Sequence, residues 1–217
     1  MTLKLYAHPF SSYCQKVLIA LYENGTPFEY RMLDNEQAGA ELAALWSLKR
    51  FPVLVDGDAT VVESSIIIEH LDLDHPGPVR FVPEDPRAAL QVRTMDRFFD
   101  NYVMTPMQRI VFDAMRPEDA RDPQGVVEAR RMLDTAYAWL EGAMSGRTWA
   151  AGDGFSLADC AAAPSLFYAD WVQPVGEAFP HVRAYRKRLL AHPSFAQAVD
   201  EARPYRKFFP PGAPDRD

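Results

Sequence analysis

The sequence predicts an α/β plus all-α protein, in which a mixed four-stranded sheet with helices is followed by helices alone. Three observations predict it. Runs of strand-like alternation, Leu3 to Tyr6, Phe28 to Met32, Phe51 to Val55 and Thr60 to Val62, all precede residue 63. From Arg87 onward apolar residues recur only at helical spacing. Between the two patterns lies a proline-rich break, His75-Pro76-Gly77-Pro78 continuing through Pro83 and Pro86, which regular elements do not cross. We therefore expect one domain at residues 1–78, a linker at 79–86 and an all-helical domain at 87–217.

The first element, Leu3-Lys4-Leu5-Tyr6, ends at Pro9, and Val17, Leu18, Leu21 and Tyr22 then recur on one helical face. Ser11 and Ser12 are residue types whose hydroxyls accept hydrogen bonds from the unpaired N–H groups of a first turn, so a helix is expected to begin near Ser11. Gly25 suits the left-handed residue that closes it. The strand Phe28 to Met32 precedes a polar helix, Asp34 to Trp46. Asp56-Gly57-Asp58 is a hairpin turn between the last two strands, and Glu63-Ser64-Ser65 opens a third helix, Ile66 to Leu73.

Ala88 to Ala114 reads as one long helix bent at Pro106, whose missing N–H removes a hydrogen bond. Asp122-Pro123 starts another, with Met132, Leu133, Ala136, Trp139 and Leu140 as its apolar stripe. Ser156 and Asp159 have the spacing of a reciprocal cap, and that helix runs to Trp171 through Pro164. Pro180 to Ala191 and Pro193 to Ala202 are shorter helices, and the tail from Phe209 is expected to be disordered.

Composition narrows the function. The 217 residues carry a formal net charge of −7, which argues against a nucleic-acid partner because phosphate neutralisation dominates such binding. The two cysteines, Cys14 and Cys160, are far apart; they form neither a disulfide framework nor a metal spacing, as suits a reducing compartment. Asp72, Asp74 and His75 have no matching second cluster and read as a solvated helix end, so no metal site is expected. No stretch has the length of a membrane span and no leader pattern opens the chain, so a soluble cytoplasmic protein is expected.

The segment Ser11-Ser12-Tyr13-Cys14 followed by Gln15-Lys16-Val17 resembles the Cys-Pro-Tyr-Cys helix start of glutaredoxins, with serine replacing the first cysteine. The order of elements is thioredoxin-like. With Phe51-Pro52-Val53-Leu54, Glu63-Ser64 and Phe155-Ser156-Leu157-Ala158-Asp159, the whole chain resembles a cytosolic glutathione transferase of the serine type. That resemblance implies a detoxifying transferase with glutathione as co-substrate, no other cofactor, a small hydrophobic electrophile as second partner, and a homodimer.

It also implies residue roles. Ser11 would stabilise the glutathione thiolate, with a plain helix cap as its structural alternative and Ser12 as the alternative donor. Pro52 corresponds to the family's cis-proline, which turns the Phe51 backbone toward the cysteinyl part of glutathione. Ser64 would take the γ-glutamyl carboxylate, Glu63 the ammonium, and Lys49 and Arg50 the glycyl carboxylate. The electrophile would meet Tyr102, Thr105, Pro106, Met107 and Phe112, with Tyr168 and Trp171. Tyr6 is placed one residue early for the tyrosine used by other classes, and alternation turns it away. Cys14 reads as structural. Tyr13, standing where the isomerase class has cysteine, disfavours maleylacetoacetate isomerisation. Peroxide reduction, dehalogenation and a non-catalytic binding or assembly role stay open as alternatives.

Overall fold

A computed structural model describes residues 2–217. Four strands, β1 (Leu3–Ala7), β2 (Phe28–Met32), β3 (Val53–Asp56) and β4 (Ala59–Val62), form one mixed sheet in the order β2-β1-β3-β4. β1 pairs parallel to β2, with Leu3 opposite Phe28, and antiparallel to β3, with Leu5 opposite Leu54. Alternation along β1 sends Leu3, Leu5 and Ala7 into the main core, whereas Tyr6 joins Leu42 and Val53 in a smaller cluster on the other face. There the Tyr6 hydroxyl donates to Glu41 Oε2 at 3.1 Å, under helix α2 (Glu36–Leu45).

Helix α1 (Ser12–Glu23) is buried along nearly its whole length. The sheet and α3 (Ser64–Asp74) flank it on one side, and α7 (Leu157–Val172) and α9 (Pro193–Ala202) on the other. Its end is closed by Gly25 at φ 59°, whose N–H donates to Tyr22 O. The linker is anchored by buried Asp72, which accepts from the Phe81 and Val82 N–H groups at 3.0 and 3.2 Å. One hydrophobic core runs from Leu3 through α1 and α7 to Phe209.

The bend predicted at Pro106 has a different construction. Helix α4 (Pro86–Phe98) passes into a π-helical stretch, Phe99–Met104, and then into α5 (Thr105–Ala114). The Thr105 N–H donates to Asp100 O, five residues back. Widening the turn just before the proline accommodates a ring that would crowd the preceding turn. Each residue inserted this way rotates the following helix face by about 100°.

Helix α6 (Pro123–Ala143) buries Leu133, Ala136, Tyr137 and Leu140. Trp139, 51% exposed, and Met132, 44% exposed, leave the predicted stripe for the outer face, and Trp139 lies 4.3 Å from the Phe98 ring. Every residue of α7 is buried. At its start Asp159 accepts from the Ser156 and Ala150 N–H groups, both at 2.9 Å, and from the Tyr185 hydroxyl of α8 (Pro180–Leu190) at 2.6 Å. The expected reciprocal cap thus also ties three segments together.

The tail is ordered rather than disordered. A 3₁₀ stretch, Arg203–Phe208, leads to a buried Phe209 packed against Phe10, Tyr168 and Trp171. The Asp217 carboxylate accepts from Arg203 and Arg206, and Arg216 donates to Asp170. Proline-rich composition signals a lack of regular structure but carries no information about such distant partners.

Candidate active site

The strand-to-helix turn after β1 is held by groups far away in sequence. Buried Gln15 donates to Pro9 O at 2.9 Å and to the Tyr168 hydroxyl at 3.1 Å, and that hydroxyl donates to Phe10 O at 3.2 Å. Ser11 is the N-cap of α1, extended at φ −86° and ψ 124°, and its Oγ accepts from the Cys14 N–H at 3.4 Å. Accepting that bond leaves the Ser11 hydroxyl proton free to donate. The helix start supplies a positive dipole end, so an anion is favoured beside Ser11.

Tyr13 is a second hydroxyl here. Burial, aided by the Asp100 charge, pushes its phenol up to about 12, so it remains a neutral donor. Cys14 is fully buried, and burial pushes its thiol up to about 12 against the opposing hydrogen bonds of Ser11 and His8. It is therefore a packed thiol and not a nucleophile. Both groups hold protons in the folded protein that the unfolded chain releases sooner. Their stabilising contribution is intact below about pH 9, the ordinary thiol value, and is lost as pH rises toward about 12. The urea midpoint should fall across that range, and Cys14→Ala should flatten the decline.

A second helix start opens nearby. Glu63, preceding α3, lies at φ 70° and ψ 117°, and no side chain caps the helix. For a residue with a Cβ, such a conformation costs about 1–3 kcal/mol and persists only where its surroundings enforce it. The first-turn N–H groups of Ser64 and Ser65 are left available to an anion. Between the two helix starts, the Phe51–Pro52 peptide is cis. The Phe51 main chain has no hydrogen-bond partner among the described residues.

Behind α3 lies a buried ion cluster. The fully buried Lys16 ammonium is 2.5 Å from Asp96 Oδ1 and 3.0 Å from Asp100 Oδ2, and it donates to Ser65 Oγ at 2.9 Å. Ser65 donates to Asp96 Oδ2 at 2.9 Å, and Arg97 closes the group from the exposed side. Burial pushes the Asp100 carboxyl up while Lys16 opposes it. The cluster joins α1, the start of α3 and the π-helical stretch.

The two helix starts and the Phe51–Pro52 peptide face one cleft of about 700 Å³, and Arg97 and Asp100 bring the ion cluster to its edge. Ser11, Ser12, Lys49, Arg50, Phe51, Pro52, Glu63 and Ser64 line one side, and Met107, Phe112 and Tyr168 line the other. Four predicted pocket residues are elsewhere. Tyr102 is half exposed against Phe98, the Thr105 hydroxyl donates to Asp100 O, Pro106 is buried, and Trp171 packs among Phe10, Phe209 and Arg206. The π turn changes the helix phase, so the face toward the cleft after it is Met107, Gln108, Val111, Phe112 and Met115.

Sequence reasoning missed His8, Phe10, Tyr13, Trp46, Arg97, Asp100, Asn101, Gln108, Val111 and Met115, and the wall formed by Phe208, Phe209 and Pro210. One signal for part of this group was present. Asp96 and Asp100 are two carboxylates four apart on one helix, an arrangement that repels unless a cation lies between them.

The family described as glutathione S-transferase, N-terminal domain, matches residues 5–79, and that described as glutathione S-transferase, C-terminal domain, matches residues 103–193. The "Probable maleylacetoacetate isomerase" of Vibrio cholerae is 29% identical, over 94% of this chain and 98% of that protein. The stringent starvation protein A homolog of Coxiella burnetii is 26% identical, over 91% of each. A crystal structure of a glutathione S-transferase from Methylobacterium radiotolerans in complex with glutathione sulfonate aligns with a TM-score of 0.78 at 29% identity, covering 92% of this chain and 95% of that one.

Proposed function

We propose, since this chain belongs to the glutathione S-transferase family, that it binds glutathione in the cleft and activates its thiol for attack on a small hydrophobic electrophile. The observation that carries this reading is the opening of two helix starts onto one cleft, with the unpaired Phe51 main chain between them. One ligand with a carboxylate at one end and a thiolate further along satisfies both. The glutathione sulfonate complex of the Methylobacterium relative supports it.

In this reading the γ-glutamyl carboxylate accepts from the Ser64 hydroxyl and the N–H groups at the start of α3, and Glu63 faces the ammonium. The Phe51 main chain pairs with the cysteinyl unit as a strand edge would. Lys49 and Arg50 meet the glycyl carboxylate. Ser11 donates to the sulfur, with Ser12 and Tyr13 as neighbouring hydroxyls, so the thiol proton passes to water. The thiolate then forms the new C–S bond as the leaving group departs with its electron pair. Met107, Val111, Phe112 and Met115 offer the apolar, adaptable wall suited to varied electrophiles.

Calorimetric titration with glutathione, followed by turnover of an aryl halide, tests this. Saturable binding with conjugate formation is expected, and absence of binding overturns it. Ser64→Ala should raise KM for glutathione about tenfold, the worth of one hydrogen bond to a charged group, with a smaller effect on kcat.

A second reading draws on the similarity to the Coxiella stringent starvation protein A homolog. Here the chain keeps the fold as a binding or assembly module, and glutathione binding without turnover of any electrophile would favour it. Peroxide reduction, dehalogenation and isomerisation use the same activated sulfur and differ only in the second pocket. We also propose a cytoplasmic homodimer. Among the described residues no helix is long and apolar enough to cross a membrane, and the ledge of exposed Tyr102 and Trp139 against half-buried Phe98 is a surface that pairing would cover. Light scattering at micromolar concentration checks the mass.

A further inference from the structure

Asp56, the last residue of β3, meets the C-terminal end of α3. Its Oδ2 lies 3.0 Å from His70 Nε2 and 2.7 Å from His75 Nε2, and one donor atom from each of the three residues falls within 4.8 Å of the others. His70 is also held from behind, with Nδ1 3.0 Å from Asp74 Oδ2. The sequence reading of Asp72, Asp74 and His75 as a solvated helix end thus omitted Asp56 and His70, which lie on other turns of the chain, and Asp72 is buried against the linker rather than solvated.

With a neutral His70 ring the arrangement is one donor short. A neutral imidazole carries one N–H. When Asp74 holds that proton on Nδ1, His70 Nε2 presents a lone pair to the Asp56 carboxylate, which is itself acceptor-only. Two acceptors then face each other at hydrogen-bond distance. A cation between them, whether a second ring proton or a metal ion, resolves this without disturbing Asp74.

From this geometry we propose that Asp56, His70 and His75 form a binding site for a divalent transition-metal ion of the zinc type. The ion takes the two Nε2 lone pairs and one carboxylate oxygen, and water completes the coordination. Asp74 holds the His70 tautomer from the second side, as carboxylates behind metal-bound imidazoles do. Two imidazoles with one carboxylate suit Zn²⁺ far better than Mg²⁺ or Ca²⁺. Tetrahedral Zn²⁺ with bonds of about 2.0–2.1 Å sets its donor atoms about 3.3 Å apart, so Asp56 Oδ2, now 3.0 and 2.7 Å from the two imidazole nitrogens, needs to open slightly from both, while the donor atoms already lie within 4.8 Å of one another. The three side chains are 20–30% exposed, which leaves them room to do so and gives the ion a way in. The site is distinct from the cleft, where none of these residues appears. Its effect would be to clamp the end of α3 to the hairpin.

The test uses protein without a histidine tag. Zn²⁺ is titrated in competition with a chromophoric chelator, and Co²⁺ is added separately as a spectroscopic probe. One Zn²⁺ per chain, a strong visible band from four-coordinate Co²⁺ and a rise in Tm with Zn²⁺ but not Mg²⁺ are expected. His70→Gln and His75→Gln should each abolish the Co²⁺ band, and Asp74→Asn should weaken Zn²⁺ binding about 10–100-fold. Unchanged far-ultraviolet circular dichroism shows that the variants fold. Absence of Zn²⁺ binding by the wild type overturns the proposal, as does wild-type affinity in both folded histidine variants.

Discussion

Replacing Ser11 with alanine is expected to lower kcat/KM for conjugation by about 10²–10³-fold, the usual loss when one donor to a developing or resident anion is removed. A free thiol near pKa 8.5 is only a few per cent ionised at neutral pH, so lowering that value by one unit raises the reactive fraction roughly eightfold, and by two units makes the thiolate the major form. The thiolate absorbance of bound glutathione should therefore fade in the variant, and its pH–rate profile should move to the alkaline side. Glutathione affinity should change only a few-fold, because the carboxylate contacts remain. Ser11 is also the cap of α1, so a stability loss of about 1 kcal/mol should accompany the substitution. If Ser12→Ala rather than Ser11→Ala abolishes the absorbance, the thiolate contact belongs to Ser12.

The second large effect is on stability. Lys16→Met should cost about 3–5 kcal/mol, because it leaves two carboxylates buried without their shared cation. Asp96 and Asp100 have side chains only 2% and 7% exposed, and the remaining cation, Arg97, is 53% exposed. Burial already pushes the Asp100 carboxyl up with Lys16 in place. In the variant the folded-state value rises further above the unfolded one, which favours folding when the group is protonated. The deficit should therefore shrink as the pH is lowered toward the carboxylate range, and adding Asp100→Asn should recover part of it at neutral pH. Denaturant titrations at two pH values measure this. A deficit independent of pH would mean that lost packing, not charge, dominates.

Local chemistry made much of the fold legible. Ser11, Gly25, Asp122 and Ser156 mark helix ends because caps and stops are decided by a few adjacent residues. The strands before residue 63 and their alternation, including the turn of Tyr6 to the opposite face of the sheet, follow from period two. Half of the cleft was legible for the same reason, since Ser11, Pro52 and Ser64 each belong to a compact motif. What local pattern cannot carry is phase across an irregular turn, and the π stretch before Pro106 displaced Tyr102 and Thr105 from the predicted pocket. Nor can it show partners found across the fold. The pairing of Lys16 with Asp100, of Gln15 with Tyr168 and of Phe209 with Phe10, and the meeting of Asp56 with His70, all join residues whose neighbours in sequence say nothing of the contact.

The burial of α1 between the sheet and the helices α7 and α9 has a consequence for how the protein comes apart. Because α1 buries residues on both flanks, the first eighty residues released alone would expose an apolar helix face, and the remainder would expose the matching surface of α7. Neither half carries a complete core. The chain should melt in a single cooperative transition, and a protease cut in the linker should yield two pieces that remain associated. Exchanging the helical half between relatives, as a way to change the proposed second substrate, would then require rewriting the buried side of α1 along with the pocket.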